Sequence, residues 1–324
     1  MLISVLLFAV GLVLLSKGGD WVVDGATGIA KRFNLPDIVV GATVVSIGTT
    51  LPEVMVSTTG ALAGSGAMAY GNAIGSIICN TALIAAISIT CNPGPVNVKS
   101  MKTPAIFFFC SAARYCFASY VLGEFPRWMG FVMLGIFVVY MVLTVRNGMK
   151  NPDAAAEEEE EESKPKALWQ ELLLLVAGAA VIAVGADLLV EHGQIIALEL
   201  GVPETVVALL FVALGTSLPE LVTTITSLKK GRASLGVGNV IGANVFNLVL
   251  VSGVAVSLAP FPVPCENFLL DTGLNMSLVL EIPVMLGVMS LMIFPALATK
   301  KLGRWQGILL LAIYAAFCVC QFVL

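Results

Sequence analysis

A duplication held at one offset governs this chain. Gly48-Thr49-Thr50-Leu51-Pro52-Glu53 returns as Gly215-Thr216-Ser217-Leu218-Pro219-Glu220, and Gly71-Asn72-Ala73-Ile74-Gly75-Ser76 returns as Gly238-Asn239-Val240-Ile241-Gly242-Ala243, both displaced by 167 positions. The same displacement pairs Asp20 with Asp187, Asp24 with Glu191, Pro36 with Pro203 and Asn80 with Asn247. No insertion separates the motifs in either copy, so a unit longer than one helix was duplicated whole. Between positions 35–83 and 202–250, 17 of 49 residues are identical, clustered on Gly, Pro, Glu, Asn and Thr. Apolar positions diverged and polar ones did not, so the fold has to give two polar motifs equivalent settings.

That setting is a bilayer. With 58% hydrophobic residues, 12% charged residues and a mean hydropathy of +0.97, the chain cannot cover a soluble globule with polar surface. Its apolar stretches of about 20 residues match the thickness of a hydrocarbon core. The pattern predicts ten spans, at roughly 2–29, 36–61, 69–91, 103–121, 128–146, 168–190, 203–228, 236–258, 278–298 and 305–323. The expected fold class is an all-α membrane protein of ten transmembrane helices, arranged as two inverted-topology five-helix repeats with helices broken at the midplane. Residues 1–150 would hold spans one to five, 151–166 an acidic cytoplasmic linker, and 167–324 spans six to ten. The first span lacks a basic leader and a small-residue cleavage site, and its repeat partner lies in mid-chain, so it is read as a helix and not as a signal peptide.

Orientation follows from the basic residues. With the N-terminus outside, fourteen of them, from Lys31 and Arg32 to Lys300, Lys301 and Arg304, face the cytoplasm, and Arg127 alone falls in an outer loop. This predicts a multi-pass cell-membrane protein whose central linker is cytoplasmic. Five spans per repeat is an odd number, so the second copy enters the membrane from the opposite side, as in secondary transporters. The net charge of −4 is carried by the run Glu157 to Glu162, read as a solvated linker with a cation-sensing role as the alternative. The seven cysteines, at 79, 91, 110, 116, 265, 318 and 320, show no metal-ligand spacing and are read as small buried hydrophobes.

The chemistry lies in the repeated polar positions. A carboxylate inside an apolar span costs about 2.5–3.5 kcal/mol or more on insertion scales, so Glu53 and Glu220 need a reason to be there. Each follows a proline that has no N–H for the carbonyl four residues earlier, at Gly48 and Gly215, so each helix should kink or break and leave backbone oxygens free. Thr49, Thr50, Thr216 and Ser217 add hydroxyls on the same turns. Carboxylates, carbonyls and hydroxyls are ligands for a hard cation such as Ca2+. Gly71, Gly75, Gly238 and Gly242 form small-xxx-small faces that would let the next helix pack closely and bring Asn80 and Asn247 towards the glutamates. Two carboxylates balance one Ca2+ or two monovalent cations, which is the binding rule of an antiporter.

These motifs resemble the two alpha-repeats of the cation/Ca2+ exchanger superfamily, and most closely those of prokaryotic sodium/calcium exchangers. The likeness covers nearly the whole chain, including the terminal Gly303-Arg304-Trp305-Gln306-Gly307. It implies that Glu53 and Glu220 are the ligands shared by Ca2+ and Na+, with Thr49, Thr50, Thr216 and Ser217 supplying hydroxyl or carbonyl oxygens. By the same likeness the carbonyls of Ser46 and Ala213, together with Ser76, complete outer and inner Na+ sites, and Asn80 completes a middle one. Two departures stand out: Asn247 occupies a position that is often acidic in the family, and Ala243 replaces the hydroxyl of Ser76. Spans one and six resemble long gating helices that slide across a core formed by helices two, three, seven and eight.

The function expected is secondary active antiport, exporting Ca2+ in exchange for Na+ by alternating access. Ca2+/H+ exchange is the alternative within the family, and a cation channel the alternative outside it. A structural reading competes at several positions. The glutamates could cap broken helices, and Asn80 and Asn247 could link helices. Asp20, Asp24, Asp187 and Glu191 could be interfacial or line an ion passage, while Lys17 and Arg114 stay open. An enzyme is not expected, since His192 is the only histidine and has no repeat-related partner. No cofactor and no nucleic acid are implied: the partners are the transported Ca2+ and Na+ and the lipid bilayer, with a monomer as the functional unit.

Overall fold

The computed structural model describes residues 2–150, 167–200, 215–264 and 275–323. The acidic linker, Cys265 and the opening of predicted span seven, with Ala213, lie outside the described residues. Helix α1 (Leu2–Phe33) is followed by α2 (Asp37–Thr49) and α3 (Leu51–Leu62), which meet at a 46° bend. Then come α4 (Gly66–Cys91), α5 (Val98–Leu122), α6 (Arg127–Met149), α7 (Leu168–Glu199), α8 (Leu218–Lys229), α9 (Ala233–Leu258), α10 (Ser277–Thr299) and α11 (Arg304–Val323). Eight of these are long and apolar enough to cross a bilayer, and α2 with α3 makes a ninth, broken crossing among the described residues. Every predicted span except the seventh coincides with one of these crossings. Of the seventh, α8 represents the second half. The predicted fourth span gains a turn because Asn97 accepts a hydrogen bond from the Ser100 N–H (3.2 Å) and starts α5 at Val98.

Burial sorts the helices into a centre and a periphery. In their most apolar stretches, 83% of α9 and 72% of α4 is buried within protein, against 28% for α1 and for α7. Ile74, Ile77, Val240 and Ile241 on α4 and α9 are almost fully enclosed, whereas Leu12, Val13, Leu173 and Val176 on α1 and α7 are exposed, as lipid-facing side chains are. Helices α1 and α7 pack against each other through glycines: Gly11 faces Gly185, Gly18 faces Gly178, and Gly25 faces the Glu171 carbonyl. The partner numbers fall as the first rise, so the two helices run antiparallel, and with no side chain at these points their backbones touch. Arg32 closes one end with a 3.1 Å ion pair to the buried Glu171.

Contacts between the halves come in exchanged pairs. Strand β1 (Gly94–Pro95) pairs with β4 (Lys301–Leu302), and β2 (Glu124–Phe125) with β3 (Phe261–Pro262), both antiparallel. Arg127 donates to the carbonyl of Leu258 at the end of α9 (3.2 Å), and Arg304 to that of Thr90 at the end of α4 (3.0 Å). Each guanidinium supplies protons and positive charge to a helix C-terminus in the other half. The sequence Arg-Trp-x-Gly recurs at Arg127 and Arg304, now 177 apart, so ten additional residues of the second half lie between Pro262 and Lys301.

The interfacial charges resolve in part. Lys230 reaches Asp24 (2.7 Å) and Asp20 (3.4 Å), tying α1 to the end of α8, while Asp187 and Glu191 are exposed on α7. Lys17 is exposed and Arg114 partly buried. The reading of the cysteines as buried hydrophobes needs correction: Cys79 is enclosed, but Cys91 and Cys110 are exposed and Cys116, Cys318 and Cys320 half-buried. A helix in lipid has an apolar exterior, so an apolar neighbourhood in sequence does not imply a buried side chain.

Candidate functional site

The two Pro-Glu motifs build matching helix starts. Pro52 leaves the Gly48 carbonyl without its helical donor, and α2 stops at Thr49. Thr50 (φ −86°, ψ 0°) is the joint, and α3 restarts with Pro52 and Glu53 in its first turn. In the second half Ser217 (φ −88°, ψ 3°) is the joint, and α8 restarts with Pro219 and Glu220 in its first turn. Proline suits this position because the first helical N–H groups have no intrahelical acceptor to lose. A carboxylate suits it because the dipole of the new helix favours negative charge at its start.

Both restarts place their glutamates in the interior. Glu53 and Glu220 are fully buried, and their charges are close enough to act on each other. The Thr50 hydroxyl lies 3.5 Å from Glu220 Oε1. Among the described residues, Glu53 Oε1, Glu53 Oε2 and Glu220 Oε2 have no hydrogen-bond partner. Buried carboxylate oxygens without donors are expensive unless a cation compensates them.

The next helices close over the glutamates. Gly238 packs on the backbone of Ile38, and Gly242 on Ala42 and the Ser46 hydroxyl, so a Cβ at either glycine would collide with α2. The positions equivalent to Ile38 and Ala42, 205 and 209, lie outside the described residues, so the matching packing of Gly71 and Gly75 is not described. Asn80 and Asn247 are both fully buried, and among the described residues neither amide has a hydrogen-bond partner. Each begins a widened π-helical stretch, Asn80–Ala85 and Asn247–Val251, of the kind that often marks a functional position. Among the described residues, then, neither amide links two helices by a hydrogen bond. Ser76 is buried one turn before Asn80, Ala243 is buried at the equivalent place, and Ser217 is buried with its hydroxyl unpartnered among the described residues. Ala213 lies outside those residues.

A pair of asparagines that carried no role in the sequence reading holds this arrangement together. Asn239 Nδ2 donates to Thr223 Oγ1 (2.9 Å), and its Oδ1 accepts from Thr49 (3.2 Å) and Ser46 (3.2 Å). Asn72 Nδ2 donates to Ser57 Oγ (2.8 Å) and the Glu53 carbonyl (3.2 Å), and its Oδ1 accepts from Thr216 (3.3 Å). Thr49 and Thr216 thus each reach across to the asparagine of the other half. The signal was present in sequence: a polar residue between the two glycines, unchanged in both copies. Ser46 takes part through its side chain, which also donates to the carbonyls of Gly41 (2.8 Å) and Asn239 (3.0 Å). Asn244, donating to Thr81 (2.7 Å), has no counterpart in the first half, where Ile77 stands.

This set offers two carboxylates, two amides and several hydroxyls in a buried space, which is oxygen chemistry for a hard cation. A family model described as "Sodium/calcium exchanger protein" matches residues 3–146 and 171–323. The sodium/calcium exchanger MaX1 of Methanosarcina acetivorans is 29% identical over 99% of both chains, and a membrane protein of Methanocaldococcus jannaschii is 34% identical over 95% of this chain and 94% of its own. A solved structure of the sodium-calcium exchanger NCX_Mj, soaked with Na+ and Sr2+, superposes with a TM-score of 0.79 at 32% identity, covering 98% of each chain. The chain belongs to the sodium/calcium exchanger family of membrane transporters.

Proposed function

We propose that the protein is a secondary antiporter that exports Ca2+ in exchange for external Na+ by alternating access. The observation that carries this reading is the pair Glu53 and Glu220, fully buried, within reach of each other's charge and short of donors from the protein. Their combined charge of −2 matches one Ca2+ or two Na+, so either load leaves the site neutral and the two loads exclude each other. Thr49, Thr50, Thr216, Ser217, Asn80, Asn247, Ser76 and the carbonyls of Ser46 and Ala213 supply the neutral oxygens. A third Na+ would carry uncompensated charge, which makes a three-for-one exchange electrogenic.

The architecture of this reading is two inverted five-helix repeats, 1–150 and 167–324, joined by the cytoplasmic linker 151–166, with the N-terminus outside. The antiparallel α1 and α7 and the exchanged strand and arginine contacts support it. Movement of α1 and α7 over the core as one pair fits their glycine contact, which packs the two backbones closely against each other.

Proton coupling is the second reading, favoured by Ala243 and Asn247, which remove a hydroxyl and a carboxylate from the second half. The test is Ca2+ uptake into proteoliposomes loaded with Na+, with pH equal on both sides. Robust uptake supports Na+ as the counter-ion. Failure there, with uptake under a pH gradient alone, transfers the role to H+.

A further inference from the structure

Tyr140 belongs to the peripheral helix α6, yet its hydroxyl reaches into the core and donates to the carbonyl of Ala42 on α2 (2.8 Å). Ala42 lies in a widened π-helical stretch, Gly41–Val45, that ends where Ser46 begins. At the close of that stretch the backbone N–H bonds go to the carbonyls of Gly41 and Thr43 and pass over Ala42. A π-turn shifts the hydrogen-bond ladder by one residue, so one carbonyl is left over where α-helical geometry resumes. Here the phenol takes it. Tyr140 and Ala42 are both fully enclosed, so water cannot stand in for the hydroxyl.

The same carbonyl lies where the two halves of the site meet. Gly242 of α9 packs so close to α2 that an added Cβ would collide with the Ala42 carbonyl and the Ser46 hydroxyl. The ring of Tyr140 meets Phe246 of α9 edge-on at 6.0 Å, and Phe107 of α5 at 5.3 Å. Tyr140 therefore touches α2 four residues before Ser46 and α9 one residue before Asn247. Phenylalanine would make the ring contacts without the hydroxyl. The recurring Arg-Trp-x-Gly makes Phe317 the counterpart of Tyr140, so the ring is duplicated and the hydroxyl belongs to the first half alone.

We propose that Tyr140 is a positioning residue of the exchange site: by holding the Ala42 carbonyl it keeps α2 in its π-turn, and so fixes where Ser46, Thr49 and the break at Thr50 lie against Asn239. The inference rests on the exchange reading, in which the Ser46 carbonyl serves Na+. Without the hydroxyl, the backbone donor that α-helical geometry offers Ala42 is the Ser46 N–H four residues on, and its transfer from Gly41 to Ala42 would undo the π-turn. That moves neutral oxygens and leaves the charges of Glu53 and Glu220 as they are. Na+ carries half the charge of Ca2+ and gains less from the carboxylates, so it should respond more strongly to the placing of the neutral oxygens.

The experiment is equilibrium binding of 45Ca to the purified full-length protein and its displacement by Na+, repeated with Tyr140→Phe and with Phe107→Leu. Tyr140→Phe keeps the ring and removes only the donor, whereas Phe107→Leu loosens the packing of the ring and keeps the donor. Tyr140→Phe should raise the Na+ needed for half displacement by about three- to tenfold, the scale of one neutral hydrogen bond, with half-saturating Ca2+ held within about twofold. Phe107→Leu should leave both values as they are, whatever it does to the melting temperature. Unchanged displacement by Na+ in Tyr140→Phe overturns the proposal, and so does a shift of Na+ and Ca2+ by the same factor, the mark of general loosening. An equal Na+ shift in both variants also overturns it, since the effect would then come from packing. Bound Ca2+ that Na+ does not displace from the unmutated protein defeats the exchange reading itself, and this inference with it.

Discussion

The two halves of the central site share their carboxylates and differ in their hydroxyls. Glu53 and Glu220 occupy the same place in the same restarted helix, and Asn80 and Asn247 open the same π-helical turn. Around them the halves diverge. The Thr50 hydroxyl faces the opposite glutamate at 3.5 Å, whereas the Ser217 hydroxyl has no partner among the described residues. The single Ser46 hydroxyl proton has three acceptors within reach, and the counterpart of Ser46 is Ala213; Ser76 has Ala243 as its counterpart. On the proposed exchange reading, charge compensation of a divalent ion needs both carboxylates, which accounts for their likeness. Neutral oxygens can be distributed unevenly, and here they favour the first half.

The strongest way to break this comparison is to remove one charge at a time. Glu53→Gln and Glu220→Gln should each reduce Ca2+ flux about a hundredfold or more, because stranding one charge of a buried pair typically costs about 3–5 kcal/mol. The measurement is 45Ca uptake into proteoliposomes, normalised to inserted protein. Near-equal losses are the expected result. Substantial flux in one variant alone would show that the carboxylates are not equivalent.

The asparagine clamps give the next effect, and here the halves should separate. Asn239→Ala removes the partner of Ser46, Thr49 and Thr223, all fully or almost fully buried, at about 1–3 kcal/mol for each group left unsatisfied. Asn72→Ala frees the buried Ser57 and the half-buried Thr216, and at Thr216 water can replace the amide. Asn239→Ala should therefore lower both thermal stability and flux more than Asn72→Ala does. The reverse order, read by melting in detergent and by uptake, would contradict the clamp.

A smaller effect sharpens the hydroxyl difference. Ser76→Ala should raise the external Na+ needed for half-maximal Ca2+ export by about three- to tenfold, the scale of one neutral hydrogen-bonding or ligand oxygen, and leave Ca2+ dependence nearly unchanged. Ala243→Ser, placing a hydroxyl in the poorer half, should act in the opposite sense or not at all. A shift in Ca2+ dependence with none in Na+ dependence would move Ser76 out of the monovalent role.

The membrane class, nine of the ten spans and the burial of the two glutamates were legible in the chain because lipid imposes one simple rule, length and apolarity, and because duplication marks polar positions that resisted drift. The Asn72 and Asn239 clamps were only half legible. The residues recur, but their partners lie across the halves and no local spacing announces them. The cysteines show the converse: apolar flanks in a membrane helix are as compatible with a lipid-facing thiol as with a buried one.

The last prediction concerns a contact that one half has and the other lacks. Lys230 holds Asp24 at 2.7 Å and Asp20 at 3.4 Å, whereas its counterpart in the first half is Ala63 and cannot pair with Asp187 or Glu191. All three charged side chains are substantially exposed, so water and salt screen the tie, and exposed ion pairs are worth about 0–1 kcal/mol. Lys230→Ala should change Ca2+ flux by no more than about fivefold, the range that 1 kcal/mol permits. Lys230→Glu, which sets a third negative charge beside two others, should change it further in the same direction. Both effects should shrink as ionic strength rises and the Debye length falls to about 8 Å and below. The measurement is initial uptake at two concentrations of an inert salt. If α1 slides during transport, the tie holds one of its positions, and its loss should alter the rate more than the half-saturating Ca2+. An effect that grows with salt, or one confined to Ca2+ affinity, would mean that Lys230 does not act as a tether on α1.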